Sequence, residues 1–208
     1  MTGLLQAAIA WVKTEMDVTA GHDWGHIQRV VVNGERLAEE EGADPLVVKL
    51  GCLMHDVVNL EKDDPRRAQA STMAAEKAMD WLNGKKIAPE RVKLVGEAIK
   101  CHSYSAGFEP ESLEAKVVSD ADNLDALGAI GISRCFECGG SMGRVTVHPT
   151  DPLARNRMVD DGVYTLDHFF AKLFKLGERF HTDAGNEEAE KRIGFMKSFV
   201  AQMSDEIQ

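Results

Sequence analysis

Apolar residues recur at three- and four-residue spacing along most of the chain, and segments in which apolar and polar residues strictly alternate are missing. The first spacing is typical of amphipathic helices and the second of strands, so the pattern predicts an all-α fold. The predicted helices cover residues 3–16, 23–41, 45–59, 65–83, 89–103, 113–127, 160–181 and 186–206. Asp-Pro pairs support several helix starts, because aspartate caps a helix and proline suits its first turn; they lie at 44–45, 64–65 and 151–152, with Ala88-Pro89 a weaker example.

The least regular part of the chain is segment 138–157, which is rich in Gly and Pro and carries three arginines. A long irregular stretch within a compact domain is usually functional or mobile. The segment is therefore either an active-site flap or a poorly ordered excursion. The length of 208 residues suits a single domain, with a core over about 20–180 and C-terminal helices packed on it.

Composition narrows the classes of function. The formal net charge of −10 disfavours nucleic-acid binding, because an acidic surface repels phosphate backbones, but a locally basic pocket can still bind a small phosphate.

The N-terminal apolar stretch lacks a basic start and is typical of an amphipathic helix, not of a signal peptide. No apolar stretch is long enough to span a membrane. Cys135 and Cys138 form a lone C-x-x-C without a second ligand pair, so free thiols are expected rather than a zinc site. Together these features predict a soluble cytoplasmic protein without membrane contact.

Segment 46–58, LVVKLGCLMHDVV, is the most apolar stretch of the chain, and Lys49 is its only charge before His55 and Asp56. A helix that is apolar on nearly all faces lies in the centre of a protein. A histidine and an aspartate at its end are costly to bury unless they are paired or bound to a cation. The pair is therefore a candidate for metal binding.

Two more residues fit the same chemistry. His26 shares a helical face with Val30 and Leu37, and Asp122 lies one turn after an apolar residue and one turn before another. Helical bundles build metal sites from such inward side chains on several helices. A lone histidine on an apolar face is more often an ordinary core residue, so the prediction depends on the whole set. Nitrogen and oxygen ligands favour one divalent ion of Mn, Co, Ni, Fe or Zn, with Mg less suited.

The ordered set His26, His55-Asp56 and Asp122 resembles the H…HD…D signature of the HD-domain superfamily. The neighbouring runs GHDWGHIQRV, CLMHDVVNLEKDDPRRAQAS, IKCHSYSAG and VVSDADNLDALGAIGI are similar to those of small bacterial HD proteins, and the resemblance covers about residues 20–180. It implies an all-α fold, a divalent metal held by these four residues, and hydrolysis of a phosphoester or phosphoanhydride. The most similar small members look like nucleoside triphosphate pyrophosphohydrolases, so a small phosphorylated substrate, a nucleotide, is expected.

Three aspartates compete for the last ligand position. The family aspartate precedes a residue-Leu pair, which favours Asp122; Asp120 is expected to face water at a helix start, and Asp125 to support Asp122 or act as a base. Asn123 stands where relatives often carry Arg, so phosphate binding would need other cations. His22 could also reach the ion, although a role in orienting His26 together with Asp23 fits better.

Candidates for proton transfer and for substrate binding are chosen by their positions in the chain. His102 is the only histidine between Asp56 and Asp122, and it is expected to protonate or position the leaving group or to contact phosphate. The candidate substrate-binding cations are Arg29, Lys62, Arg66 and Arg67. Each could equally be a solvated surface charge.

Two alternatives stay open. One is a non-catalytic, metal-dependent nucleotide sensor. The other is an HD-type di-iron oxygenase. The resemblance disfavours it, because HD proteins with two metal ions use two additional histidines between the His-Asp pair and the last aspartate, and this chain has one histidine between Asp56 and Asp122. The sequence does not set the oligomeric state, and a homodimer is one option.

Overall fold

The computed structural model describes residues 2–16, 23–60, 64–103 and 107–207, and its regular elements there are helical, apart from one isolated bridge between Val145 and Tyr164. The all-α prediction is confirmed. The α-helices are α1 (Thr2–Glu15), α2 (Trp24–Glu41), α3 (Pro45–Met54), α4 (Ala70–Asn83), α5 (Pro89–His102), α6 (Leu113–Asp125), α7 (Gly128–Ser141), α8 (Asp167–Ala171) and α9 (Asp183–Ile207). Within these ranges, no helix combines the length and hydrophobicity needed to cross a membrane.

Several predicted boundaries were wrong. Helix α3 ends at Met54 instead of 59, and α4 begins at Ala70 after a short 3₁₀ helix, Arg67–Gln69. The single helix predicted over 160–181 is a short α8 followed by a 3₁₀ helix, Leu173–Arg179. Helix α7 was not predicted at all.

The Asp-Pro signals had mixed outcomes. Asp44 caps α3 as predicted, since its carboxylate accepts from the backbone N–H of Leu46 at 2.9 Å and of Val47 at 3.3 Å. Asp151 starts no helix. Its carboxylate instead accepts from the backbone N–H groups of Arg155 and Asn156, at 2.9 and 2.8 Å, and closes a turn.

The chain forms two compact units by its internal contacts. The first comprises residues 1–122 and 181–185, and its core is built by α1 to α5 around the apolar helix α3. Seven of the ten residues of α3 are buried, which confirms the prediction of a central helix. The side chain of Lys49, also on α3, is partly exposed and forms an ion pair with Glu35 of α2. Trp11 of α1 and Trp81 of α4 stack with their ring centroids 5.1 Å apart.

The second unit comprises residues 123–180 and 186–208. Phe136, Phe169 and Phe199 form its aromatic centre, with ring centroids about 6 Å apart. The first residues of segment 138–157 belong to α7, which ends at Ser141, so only the remainder is irregular. Its end is fixed by Arg157, whose guanidinium donates two hydrogen bonds to the buried Asp167, at 2.5 and 2.7 Å. A two-pronged charge-assisted contact of this kind holds a loop in one arrangement.

The position of α3 in the core predicts a large stability effect. Leu50 is fully buried, so Leu50→Ala should lower the free energy of unfolding by about 2–5 kcal/mol, through lost burial and the cavity left behind. Val32→Ala on the exposed face of α2 is the control and should change it by less than about 0.5 kcal/mol. Denaturant unfolding of both variants measures the difference, and equal losses would contradict the central role of α3.

Candidate metal centre

Helix α3 delivers two of the candidate ligands at its C-terminal end. His55 follows the last helical residue, and Asp56 comes next. The Nδ1 of His55 lies 2.9 Å from the carbonyl oxygen of Cys52, three residues earlier. Because a carbonyl oxygen only accepts, Nδ1 carries the proton and Nε2 presents its lone pair in the neutral ring. The end of the helix, which leaves carbonyls without intrahelical partners, thus sets the tautomer that binds metal.

Helix α2 delivers His26 from its first turn. Asp23 caps this helix, and its carboxylate accepts from the backbone N–H of His26 at 2.8 Å. The His26 side chain is 1% exposed and lies on the buried face with Val30 and Leu37, as predicted. His22 lies outside the described residues.

Helix α6 completes the His/Asp cluster, which we define as His26, His55, Asp56 and Asp122. The Nε2 atoms of the two histidines are 3.2 Å apart. Asp56 Oδ2 lies 3.7 Å from the first of these atoms and 3.5 Å from the second, and Asp122 Oδ1 lies 3.4 and 3.7 Å from them. The four residues predicted as ligands therefore converge on one point.

His102 stands beside the cluster at the end of α5. Its ring centroid is 4.9 Å from that of His55, and its Nε2 lies 3.8 Å from Asp56 Oδ1. Its Nδ1 is 2.6 Å from the carbonyl oxygen of Ile99, again three residues earlier. His55 and His102 are thus oriented in the same way, each by a hydrogen bond from its Nδ1 to the carbonyl oxygen three residues earlier. His55, His102 and Asp122 also form a group that could bind an ion, so His102 is close enough to be a ligand itself.

The charges of the cluster affect one another. Burial raises the pKa of Asp122, but the neighbouring His55, His26 and His102 outweigh it and leave that pKa below its usual value. Burial lowers the pKa of His102, and the nearby His55 lowers it further, against the opposing effect of Asp122 and Asp56. These shifts in pKa favour an ionised Asp122 and a neutral His102, the forms in which carboxylate and imidazole bind metal.

The donor geometry fits a divalent ion. Two atoms bound to one ion at about 2.1 Å are separated by about 3.0–3.4 Å at octahedral or tetrahedral angles. The observed separations of 3.2 to 3.7 Å are at or slightly above this range. Two imidazole lone pairs at 3.2 Å would repel each other unless a proton or cation lay between them. The side chains of Asp56 and Asp122 are 14% and 25% exposed while both histidines are 1% exposed, so the carboxylate side is the more open.

Asp125 is a predicted site residue that is not part of the His/Asp cluster as defined above. Asp125 belongs to the second unit, where its buried carboxylate accepts from Arg134 Nη1 at 2.8 Å. Arg134 also donates to the backbone carbonyl of Asp125, at 3.0 Å. The catalytic role predicted for Asp125 stays a prediction.

The candidate cations follow α3 or lie on α2. Arg66 is exposed and makes a two-pronged contact with Asp64, at 3.1 and 2.8 Å, and this contact lowers the pKa of Asp64 to about 2. Arg67 donates to the carbonyl oxygen of Leu60 at 2.9 Å. Arg29 is half-buried in the first turns of α2, and Lys62 lies outside the described residues. Their roles in substrate binding stay predictions.

The expectation for Asp120 was wrong. The residue lies within α6, is fully buried, and accepts hydrogen bonds from Thr182 and from the backbone of His181. Sequence reasoning missed this contact because its partners are about sixty residues away in the chain. The sequence did contain one indication that Asp120 is buried, because the residue follows Val117 and Val118 and precedes Ala121.

Comparisons with known proteins agree with this arrangement. The family model of the HD domain matches residues 23–127. Protein YpgQ of Bacillus subtilis is 32% identical over 198 residues, which cover 95% of this chain and 90% of that protein. The crystal structure of YpgQ in complex with ADP superposes with a TM-score of 0.77 at 31% identity, covering 99% of this chain and 97% of that one. An HD-superfamily hydrolase of Bacillus thuringiensis gives a TM-score of 0.76 at 35% identity, with the same coverage.

The chain belongs to the HD-domain family. HD domains bind divalent metals, and the His and Asp groups of this chain could hold one.

A metal bound at the His/Asp cluster should stabilise the fold. An ion that binds only the folded state raises the free energy of unfolding by about 2.7 kcal/mol at a hundredfold excess over its Kd. We expect Mn²⁺ or Co²⁺ to raise the melting temperature of the metal-free protein, and Asp56→Ala to abolish the shift. Asp205→Ala, an exposed aspartate of α9, is the matched control and should keep it. A shift that survives in Asp56→Ala would place the ion elsewhere.

Proposed function

We propose that this protein is a metal-dependent hydrolase of a phosphoester or phosphoanhydride, and that its substrate is a nucleotide. The observation that carries the proposal is the convergence of two imidazole Nε2 atoms and two carboxylates, with separations of 3.2 to 3.7 Å. Buried ionisable groups at this density are costly unless they bind a cation. The family relationship to an HD-superfamily hydrolase supports the same reaction class.

The proposed ligands are His26, His55, Asp56 and Asp122, and together they would hold one divalent ion. Mixed nitrogen and oxygen donors suit Mn, Co, Ni, Fe or Zn. When bound, such an ion lowers the pKa of water towards neutrality and withdraws charge from a phosphate. The more exposed carboxylates leave the substrate an approach on their side of the cluster.

His102 is proposed to handle a proton in the reaction. Its Nδ1 donates to the Ile99 carbonyl, so the lone pair of the neutral ring is at Nε2, which lies 3.8 Å from Asp56 Oδ1. At this atom the ring can accept a proton from the attacking water and return it to the leaving oxygen, as general acid-base catalysis requires. The proposed base role of Asp125 is less well supported, because its carboxylate is bound by Arg134.

A nucleotide substrate is supported by the relative YpgQ, whose crystal structure contains ADP. The phosphate oxygens of a nucleotide need cations besides the metal. Arg66 and Arg67 follow the His-Asp pair along the chain, at the start of a short 3₁₀ helix, and we propose them, with Arg29 and Lys62, as the phosphate-binding residues. The net charge of −10 supports a small ligand over a nucleic acid.

The reaction can be tested with a panel of nucleoside mono-, di- and triphosphates, with Mn²⁺, Co²⁺, Ni²⁺ or Mg²⁺ added. We expect metal-dependent release of phosphate or pyrophosphate that falls by about a thousandfold in Asp56→Ala, since a lost ligand removes several kcal/mol of transition-state stabilisation. Asp205→Ala should retain full activity.

Other results would favour other functions. Tight nucleotide binding without turnover in the metal-loaded protein would favour the sensor. Two irons per chain would favour the oxygenase. Metal binding with no release from any nucleotide would contradict the substrate class but not the metal site.

The cation prediction has its own test. Arg67→Ala and Arg66→Ala should each raise KM by about 10- to 100-fold, because a charge-assisted hydrogen bond contributes about 1.5–3 kcal/mol. Arg91→Ala is the matched control, because Arg91 pairs with Asp44 at the opposite end of α3. Steady-state kinetics on the best substrate of the panel measure the effect. An unchanged KM in both variants would contradict the assignment.

A further inference from the structure

Helix α6 carries two aspartates, Asp120 and Asp122, that point in different directions. Successive residues of an α-helix are about 100° apart around its axis, so these two lie about 200° apart. Asp122 faces the histidines of the cluster. Asp120 is fully buried on the other side of the helix, and the groups that could hold an ion within the described part of the chain do not include it.

The Asp120 carboxylate is fully engaged by residues 181 and 182. The backbone N–H of His181 donates to its two oxygens, at 3.0 and 3.2 Å. Thr182 donates from its backbone N–H at 2.9 Å and from its hydroxyl at 2.7 Å, both to Oδ2. A carboxylate that accepts several hydrogen bonds is fixed in position, and the bonds offset part of the cost of its burial.

The segment bound by Asp120 is itself held firmly. The Thr182 hydroxyl accepts from the backbone N–H of Gly185 at 3.1 Å, and Glu41 of α2 accepts from the backbone N–H of Ala184 at 2.7 Å. Gly185 leaves no space beside Asp120, because a Cβ at this position would lie 2.4 Å from Oδ2. Residues 181–185 therefore form a fixed support for α6 within the first unit.

The residue between the two aspartates is anchored as well. The carbonyl oxygen of Ala121 accepts from Asn33 Nδ2 of α2 at 3.3 Å. Three consecutive residues of α6 thus contact three different partners: the 181–185 segment, α2, and the histidines. A helix fixed on both sides cannot rotate about its axis without breaking one of these contacts.

We propose that Asp120 is a positioning residue for the metal centre: by binding the 181–185 segment it fixes the rotation of α6 that presents Asp122 to the histidines. The inference rests on the metal site of the proposed function. It adds a residue outside the ligand set, and a segment far along the chain, to the parts of the protein that determine metal affinity. Residues that orient ligands in this way typically change metal affinity by about 10- to 100-fold when they are replaced.

The experiment compares three variants of the full chain. Asp120→Asn keeps the size of the side chain but places an amide NH₂ against N–H donors. Gly185→Ala changes no polar group and displaces the Asp120 carboxylate by contact. Gly194→Ala is the matched control on α9, because a Cβ there has no neighbour within 4 Å.

Two readouts separate positioning from simple stability. The first is Mn²⁺ affinity by calorimetry, at a temperature where circular dichroism shows all variants folded. The second is the visible absorption of the Co²⁺-loaded protein, which reports the number and geometry of the ligands. We expect Asp120→Asn and Gly185→Ala to bind Mn²⁺ about 10- to 100-fold more weakly and to alter the Co²⁺ spectrum. Gly194→Ala should match the wild type.

Folded Asp120→Asn and Gly185→Ala proteins with wild-type affinity and spectrum would overturn the proposal, even if both melt at a lower temperature. If either variant fails to fold, Thr182→Val removes the Thr182 hydroxyl, and with it the hydrogen bond to Asp120 and the one from Gly185. Thr182→Ser is its control, and the same two readouts decide. Because none of these measurements uses turnover, a wild type that binds metal but hydrolyses no nucleotide still tests Asp120. A wild type that binds no ion would contradict the metal centre itself.

Discussion

The central constraint on the first unit is that two histidines and two aspartates lie together at the end of the apolar helix α3. Grouping ionisable side chains in this way costs free energy unless a cation or a proton lies between them. His26 and His55 are 1% exposed, and their Nε2 atoms face each other at 3.2 Å. Such an arrangement is stable only if positive charge is shared among the four groups, as a proton or a metal ion. The tautomer is set by the helix ends, because the last carbonyls of α3 and α5 accept from the Nδ1 atoms of His55 and His102.

Close packing of the helices is the second requirement, since donors on α2, α3 and α6 must meet within about 4 Å to share one ion. Small residues make this approach possible. A Cβ on Gly34 of α2 would lie 2.5 Å from the Cys52 sulfur, and a Cβ on Gly51 of α3 would lie 2.9 Å from Val118 of α6. Protein interiors have little free volume to absorb such overlaps. The two glycines thus allow α2, α3 and α6 to pack closely beside the His/Asp cluster, although neither belongs to it.

Sequence patterns predicted the parts of this arrangement that are encoded locally. The apolar run before His55 and the cap at Asp44 define α3, and the inward face of α2 identifies His26. Helix α7, which contains four glycines, was not predicted. Two of them are required by close neighbours, since a Cβ would lie 2.2 Å from the Ala126 carbonyl at Gly131 and 2.3 Å from Thr165 at Gly139. These contacts could not be read from helix propensity, which only penalises glycine.

The three aspartates of α6 show most clearly where local reasoning ends. Asp120, Asp122 and Asp125 share one residue type and one short stretch, yet their carboxylates contact residues 181–182, the histidines and Arg134, respectively. Helical periodicity separates the first two by direction but gives no partner to either. Asp122 was chosen as the candidate ligand by its resemblance to a family motif, whereas Asp120 was expected to face water at a helix start. Its partners lie about sixty residues away in the chain, so the local sequence did not reveal them. The burial of a carboxylate can be understood only from the groups that bind it. For Asp120 and Asp125 those groups lie in a later part of the chain.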